Sequence, residues 1–179
     1  QVTDGWFGAA SPNFSEDGKY LVFVSARSFT PTYSQTEWNH AYTDMNKVYI
    51  LPLAQGAPIP FAPKNDIVRK ETVVEKKDNK KKESEDKGIV YDFSNVENRL
   101  IELPVLASNY YGNVHMLGNR VYYNRGGRTL MYDLDGKRET DTGGNIEFAP
   151  GYKKAVAFSG SAFQVVDLPV ISASVGSPV

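Results

Sequence analysis

One unit of sequence occurs twice in this chain, and its recurrence constrains the fold more than any single residue. Ser11-Pro12-Asn13-Phe14 reads as a short strand, Ser15-Glu16-Asp17-Gly18-Lys19 as a tight turn and Tyr20-Leu21-Val22-Phe23-Val24-Ser25 as a second strand. Asp17-Gly18 makes the corner, because glycine takes positive φ without a Cβ clash. The near-continuous apolar run from Tyr20 is what a strand covered on both faces requires. A weaker copy lies in Asn145-Ile146-Glu147-Phe148, Ala149-Pro150-Gly151-Tyr152-Lys153 and Lys154-Ala155-Val156-Ala157-Phe158-Ser159. A supersecondary unit that recurs in the same order predicts a repeat architecture.

Composition narrows the class. At 179 residues the chain can hold one ordinary domain or a few repeat units. Hydrophobic residues at 41% suffice for a core, and 12% aromatics with eleven Tyr favour strands over helices. A net charge of −1 gives no overall attraction to nucleic acid or an anionic membrane. With no cysteine, disulfides, thiolate catalysis and Cys-ligated metals are excluded. No apolar run reaches the roughly 20 residues of a membrane-spanning helix, and no segment of this sequence reads as a signal peptide. The chain opens on Gln1 without Met, so it reads as a mature piece or an excised domain.

Gly and Pro punctuate the sequence, and the candidate strands are short: 11–14, 20–25, 47–53, 89–93, 99–104, 113–117, 120–124, 129–134, 137–140, 145–148, 154–159 and 163–168. Gly118-Asn119, Gly126-Gly127 and Asp135-Gly136 supply the turns of a meander. Four antiparallel strands in about thirty residues have the size and connectivity of one propeller blade. The expectation is therefore an all-β chain forming a partial β-propeller of about three four-stranded blades. A sandwich-like arrangement of the same meanders is the alternative. Residues 1–63 would form one blade with a long ordered loop at 28–46, and 88–179 about two further blades.

Between them, 64–87 is dominated by Lys with Glu and Asp, as in Lys76-Lys77-Asp78-Asn79-Lys80-Lys81-Lys82-Glu83. Such a segment cannot bury enough apolar area to offset its ordering entropy. It reads as a disordered, solvated insertion between blades. Interspersed acids and the lack of an aromatic argue against a nucleic-acid-binding arm. The stretch from Thr30 to Met45 is aromatic and polar, which suggests an ordered excursion with a helical turn. Long ordered loops on a rigid β scaffold are where binding surfaces sit. Trp38, His40 and Tyr42 of this loop are accordingly the candidate substrate-binding residues.

Catalytic chemistry is limited by two histidines. Glu37, His40 and Asp44 would share one face of a helical turn, but one imidazole with two carboxylates is a sparse metal ligand set. His115, between Val114 and Met116, reads as a structural or surface histidine. Ser159-Gly160-Ser161 lacks the Gly-x-Ser-x-Gly elbow and is explained by a hairpin turn. Gly126-Gly127 and Gly143-Gly144 lack the strand-to-helix context of a phosphate loop. No catalytic residue, metal ligand or cofactor is assigned.

The first repeat resembles the Pro-x-Phe-Ser-Pro-Asp-Gly-Lys unit of TolB-like and WD40-like β-propellers, with Glu16 in place of the second proline. Ser25-Ala26-Arg27-Ser28-Phe29-Thr30-Pro31-Thr32-Tyr33-Ser34, Asn39-His40-Ala41-Tyr42, Val48-Tyr49-Ile50-Leu51-Pro52-Leu53, Pro60-Phe61-Ala62-Pro63-Lys64 and Tyr91-Asp92-Phe93-Ser94-Asn95-Val96-Glu97-Asn98-Arg99-Leu100-Ile101-Glu102-Leu103-Pro104-Val105 extend the likeness. Together they resemble the second propeller region of bacterial tricorn protease homologues. The resemblance implies a non-catalytic propeller segment that gates or positions peptides for a serine peptidase domain outside this chain. It also implies a periplasmic or otherwise extracytoplasmic parent. Partners would be peptides or unfolded polypeptide, the rest of the peptidase and, if the blades form an open arc, another copy. The second reading is a TolB-like platform for protein–protein interaction without a proteolytic role. An autonomous enzyme using His40 is the third.

Overall fold

The structure, a computed structural model, describes residues 2–29, 31–33, 40–62 and 88–170. These form thirteen strands and one 3₁₀ turn, with no α-helix. β1 (Ala9–Phe14) turns at Asp17-Gly18 into β2 (Tyr20–Ser25), and a separate hairpin of β3 (Pro31–Tyr33) and β4 (His40–Tyr42) follows. β5 (Lys47–Pro52) and β6 (Ile101–Glu102) complete an antiparallel sheet in the order β1-β2-β5-β6. The second sheet is an uninterrupted meander of β7 (Tyr111–Leu117), β8 (Arg120–Arg125), β9 (Arg128–Asp133) and β10 (Arg138–Asp141). The third is β11 (Asn145–Phe148), β12 (Lys154–Ser159) and β13 (Ala162–Asp167).

The apolar run of β2 serves two cores at once, as its lack of polar alternation predicts. Val22 and Val24, paired across from Ile50 and Val48, face the second sheet and join Val114, Met116, Val121, Tyr123, Leu130 and Tyr132 in one cluster. Phe23, Tyr49, Leu51 and Leu53 point the other way and pack on Val2, Leu21, Val96 and Leu100. The second sheet repeats the arrangement: Leu117, Tyr122 and Met131 leave its other face toward Phe148, Tyr152 and Leu168 of the third. Each sheet thus packs face to face with the next, which makes the fold all-β and a partial propeller rather than a two-layer sandwich.

A buried polar tie reinforces the second seam. Thr129 is fully buried; its hydroxyl donates to Asn124 Oδ1 at 2.7 Å and accepts the Ile146 backbone N–H at 2.9 Å. The Thr129 carbonyl in turn accepts the Thr142 hydroxyl at 2.8 Å. These bonds satisfy backbone groups where the chain crosses from one sheet to the next.

Several expectations change. The fourth strand of the first sheet lies beyond the charged segment, so that segment is inserted within a blade and not between blades. Residues 63–87 themselves lie outside the described residues. The helical turn expected near His40 is replaced by the β3–β4 hairpin. The strand expected at 89–93 is reduced to a single bridge between Tyr91 and Ala54. That expected at 99–104 becomes a 3₁₀ turn over Val96–Arg99 followed by the two-residue β6. At the Asp135-Gly136 turn the left-handed residue is Lys137, with φ 50°, because Asp133 Oδ1 accepts the N–H groups of Asp135 and Gly136 and fixes the turn one residue later. The third sheet has three strands among the described residues, not four.

Ile50 is completely buried in the first seam, whereas Phe163 on β13 is 77% exposed. Ile50→Ala is expected to lower unfolding stability by about 2–5 kcal/mol, and Phe163→Ser by no more than about 0.5 kcal/mol, both read from urea unfolding midpoints. Thr129→Val would strand the Ile146 N–H and is expected to cost about 1–3 kcal/mol; Thr129→Ser should recover most of it in the same assay.

Candidate functional site

The three predicted binding residues are placed unequally. Trp38 lies outside the described residues. His40 and Tyr42 are the first and last residues of β4, paired with Tyr33 and Pro31. Asp44, expected to share a helical face with His40, follows the strand with a left-handed φ of 55°. An extended backbone at 40–42 removes the i, i+3, i+7 face that a helix would have made. No cluster of three or more His, Asp or Glu suited to a metal occurs among the described residues. Ser159-Gly160-Ser161 is the β12–β13 turn, with Gly160 at φ 60°, as the hairpin reading has it.

Concavity is found elsewhere, where turns of successive sheets gather at one end of the molecule. A cleft of about 770 Å³ lies between the first two sheets, bounded by Pro58–Ala62 on one side and the β7–β8 turn on the other. Ile59, Phe61, Met116 and Leu134 give it apolar walls, and Asp17, Lys19, Asp135 and Lys137 set charges of both signs along it. A second cleft of about 610 Å³ lies between the second and third sheets and includes Glu16, Arg120, Tyr152 and Leu168. Gly118, Asn119 and Asp135 line both, so the two adjoin across one turn. A groove with apolar walls and charges of both signs can hold an extended chain by its side chains, independent of any bond-making group.

The turn that carries Asp17 is built by its own side chain. Its carboxylate accepts the Ser15 hydroxyl at 2.6 Å and the Lys19 N–H at 3.1 Å, with the Lys19 ammonium 3.1 Å away. Partial burial pushes its pKa up, but the bonds from Ser15 and Lys19 and the ammonium outweigh this and hold it below the usual value.

His115 is not a surface residue but the centre of a half-buried network. Asn113 Nδ2 donates to the Ile146 carbonyl at 3.4 Å, which turns Asn113 Oδ1 toward His115 Nε2 at 2.9 Å. Nε2 therefore carries the ring proton, and Nδ1 accepts from Asn13 Nδ2 at 2.8 Å and from the Tyr152 hydroxyl at 3.0 Å. The ring lies over Phe148, with centroids 4.3 Å apart. Burial pushes the imidazole pKa down to about 4. Bulges in β1 between Ala10 and Asn13, and in β7 between Gly112 and His115, shift both asparagines out of simple alternation and onto the ring. Neither the network nor the clefts could be read locally, since Asn13 and His115 are 102 positions apart. No sequence signal marked them, since the positive φ at Ser11 and at Asn113 that goes with the bulges belongs to the folded backbone.

Successive face-packed meanders with clefts among their turns define a β-propeller segment. No family model matches the chain. It is 42% identical over 53 residues to tricorn protease homolog 1 of Streptomyces coelicolor, a match covering 30% of this chain and 5% of that protein. It is 28% identical over 149 residues to a putative tricorn-like protease C-terminal subunit of Sulfurisphaera tokodaii, covering 76% of this chain and 15% of the relative. The crystal structure of the tricorn protease superposes with a TM-score of 0.62 over 93% of this chain and 17% of that one, at 17% identity. The chain is thus similar to a stretch of tricorn protease homologues, and it spans a small part of the length of each relative.

Asp17→Ala is expected to lower stability by about 1 kcal/mol at pH 7 through loss of the Ser15 and Lys19 bonds. The folded carboxyl pKa is depressed, so this contribution is present above the unfolded value of 3.8 and fades as pH falls through the folded pKa. Wild-type and variant unfolding curves should therefore converge in acid.

Proposed function

We propose that this chain is a non-catalytic propeller segment of a tricorn-like serine peptidase, holding and positioning peptides for a catalytic domain outside it. The observation that carries the reading is the pair of adjoining clefts at the turn end of three packed sheets. Their apolar walls and charges of both signs suit an extended polypeptide with mixed side chains. The occupation of both His115 ring nitrogens by Asn13, Tyr152 and Asn113 supports a scaffold role for that residue. Similarity to proteins named as tricorn proteases supplies the peptidase context. A second reading, a docking platform for another protein, is favoured by the exposed apolar row of Val156, Val165 and Phe163 on the third sheet.

Ile59 and Lys137 border the larger cleft, and Ile59 is 59% exposed, so both can be changed without disturbing a core. In the whole protein that carries this chain, Ile59→Asp with Lys137→Glu is expected to weaken capture of a fluorescent extended peptide about fivefold. Hydrolysis of a short substrate at the catalytic domain should be unchanged. Unaltered peptide capture, or loss of capture only with Trp38→Ala and Tyr42→Ala, would remove the clefts from this role. Loss of pull-down of a protein partner on Phe163→Asp, with peptide hydrolysis intact, would favour the second reading.

A further inference from the structure

The first strands of all three sheets meet at one imidazole. Asn13 comes from β1, His115 and Asn113 from β7, and Phe148 from β11, with Tyr152 in the turn that follows it. β1 and β7 are in direct contact. Every polar contact of the ring is made by the neutral Nε2–H form. The single lone pair of Nδ1 is shared between the Asn13 amide and the Tyr152 hydroxyl, and the orientation of Asn113 is held by the Ile146 carbonyl. A proton on Nδ1 would point at the amide donor of Asn13 and would need the Tyr152 hydroxyl to reverse from donor to acceptor. We propose that His115 is a proton-sensitive tie between the three blades: neutral, it binds Asn13 of the first to Tyr152 of the third, and protonated, it releases Asn13.

Among the described residues, none forms an ion pair with the ring. The titratable group among them in contact with the ring is Tyr152; Tyr122, the cross-strand partner of His115, meets Phe148 instead. Glu16, Arg120, Glu147 and Lys153, the charged residues of the adjoining elements, make no hydrogen bond or ion pair with the imidazole, and burial alone lowers its proton affinity. Unfolded, the group takes its proton near pH 6.5; folded, it resists until about pH 4. The folded state therefore loses stability as pH falls from 6.5 toward 4, and no more from this group below that. This reading stands apart from peptide positioning: it concerns how the blades are held together, and its test involves no peptide.

The test is an NMR titration of the imidazole nitrogens in a His40→Gln variant, which leaves His115 as the remaining histidine. At pH 7 the ring proton is expected on Nε2, with half-protonation near pH 4. The Asn13 side-chain amide should shift with the same midpoint. In parallel, the wild-type unfolding midpoint should fall more between pH 6.5 and 4 than that of His115→Gln, which can bond but cannot titrate. A proton on Nδ1, titration near pH 6.5, or an Asn13 amide that does not move with the ring would overturn the proposal. If His115→Gln does not fold, the titration alone decides.

Discussion

The structure depends on apolar contact between the faces of successive sheets. Val22, Val24, Val48 and Ile50 on one side, and Val114, Val121, Tyr123 and Leu130 on the other, form a single buried cluster to which both sheets contribute. Neither sheet could stay out of solvent alone, since each carries apolar side chains on both faces. At roughly 1.5–3 kcal/mol per fully buried aliphatic or aromatic side chain, this seam outweighs any polar tie described. The turns that frame the clefts take their positions from it, so the candidate site is a by-product of how the sheets stack.

Polar ties then fix how the sheets register against one another. The Thr129 hydroxyl bridges Asn124 to the backbone of Ile146, and the His115 ring joins Asn13, Asn113 and Tyr152. Hydrophobic contact is non-directional, whereas each of these bonds has one satisfying geometry. Both ties lie in or beside the packed seams, where an unpaired group is costly. The third sheet shares in them but keeps its outer face exposed, with Val165 61% accessible.

Much of the fold was legible because strand alternation and turn chemistry are local. β2, β11 and β12 have the bounds expected from their residues alone. The place of β6 was not, since Ile101 and Glu102, inside the strand expected at 99–104, join the first sheet by pairing with Ile50 and Tyr49 across the charged insertion. The β3–β4 hairpin was missed because three-residue strands carry too little periodicity to distinguish them from a turn of helix. The site was less legible than the scaffold. Clefts assembled from the Asp17, Gly118 and Tyr152 turns have no contiguous sequence, and a histidine between two apolar residues does not reveal an asparagine from another sheet.

The central claim is that the first two sheets are one cooperative body joined by their shared cluster. Native-state hydrogen exchange measured against denaturant tests it most directly. The account predicts that the amides of Val22, Ile50, Val121 and Leu130 exchange through one common opening, with a single free energy and a single denaturant dependence. The β12 and β13 amides should open at lower free energy. Separate opening of the first and second sheets, each with its own free energy, would contradict it.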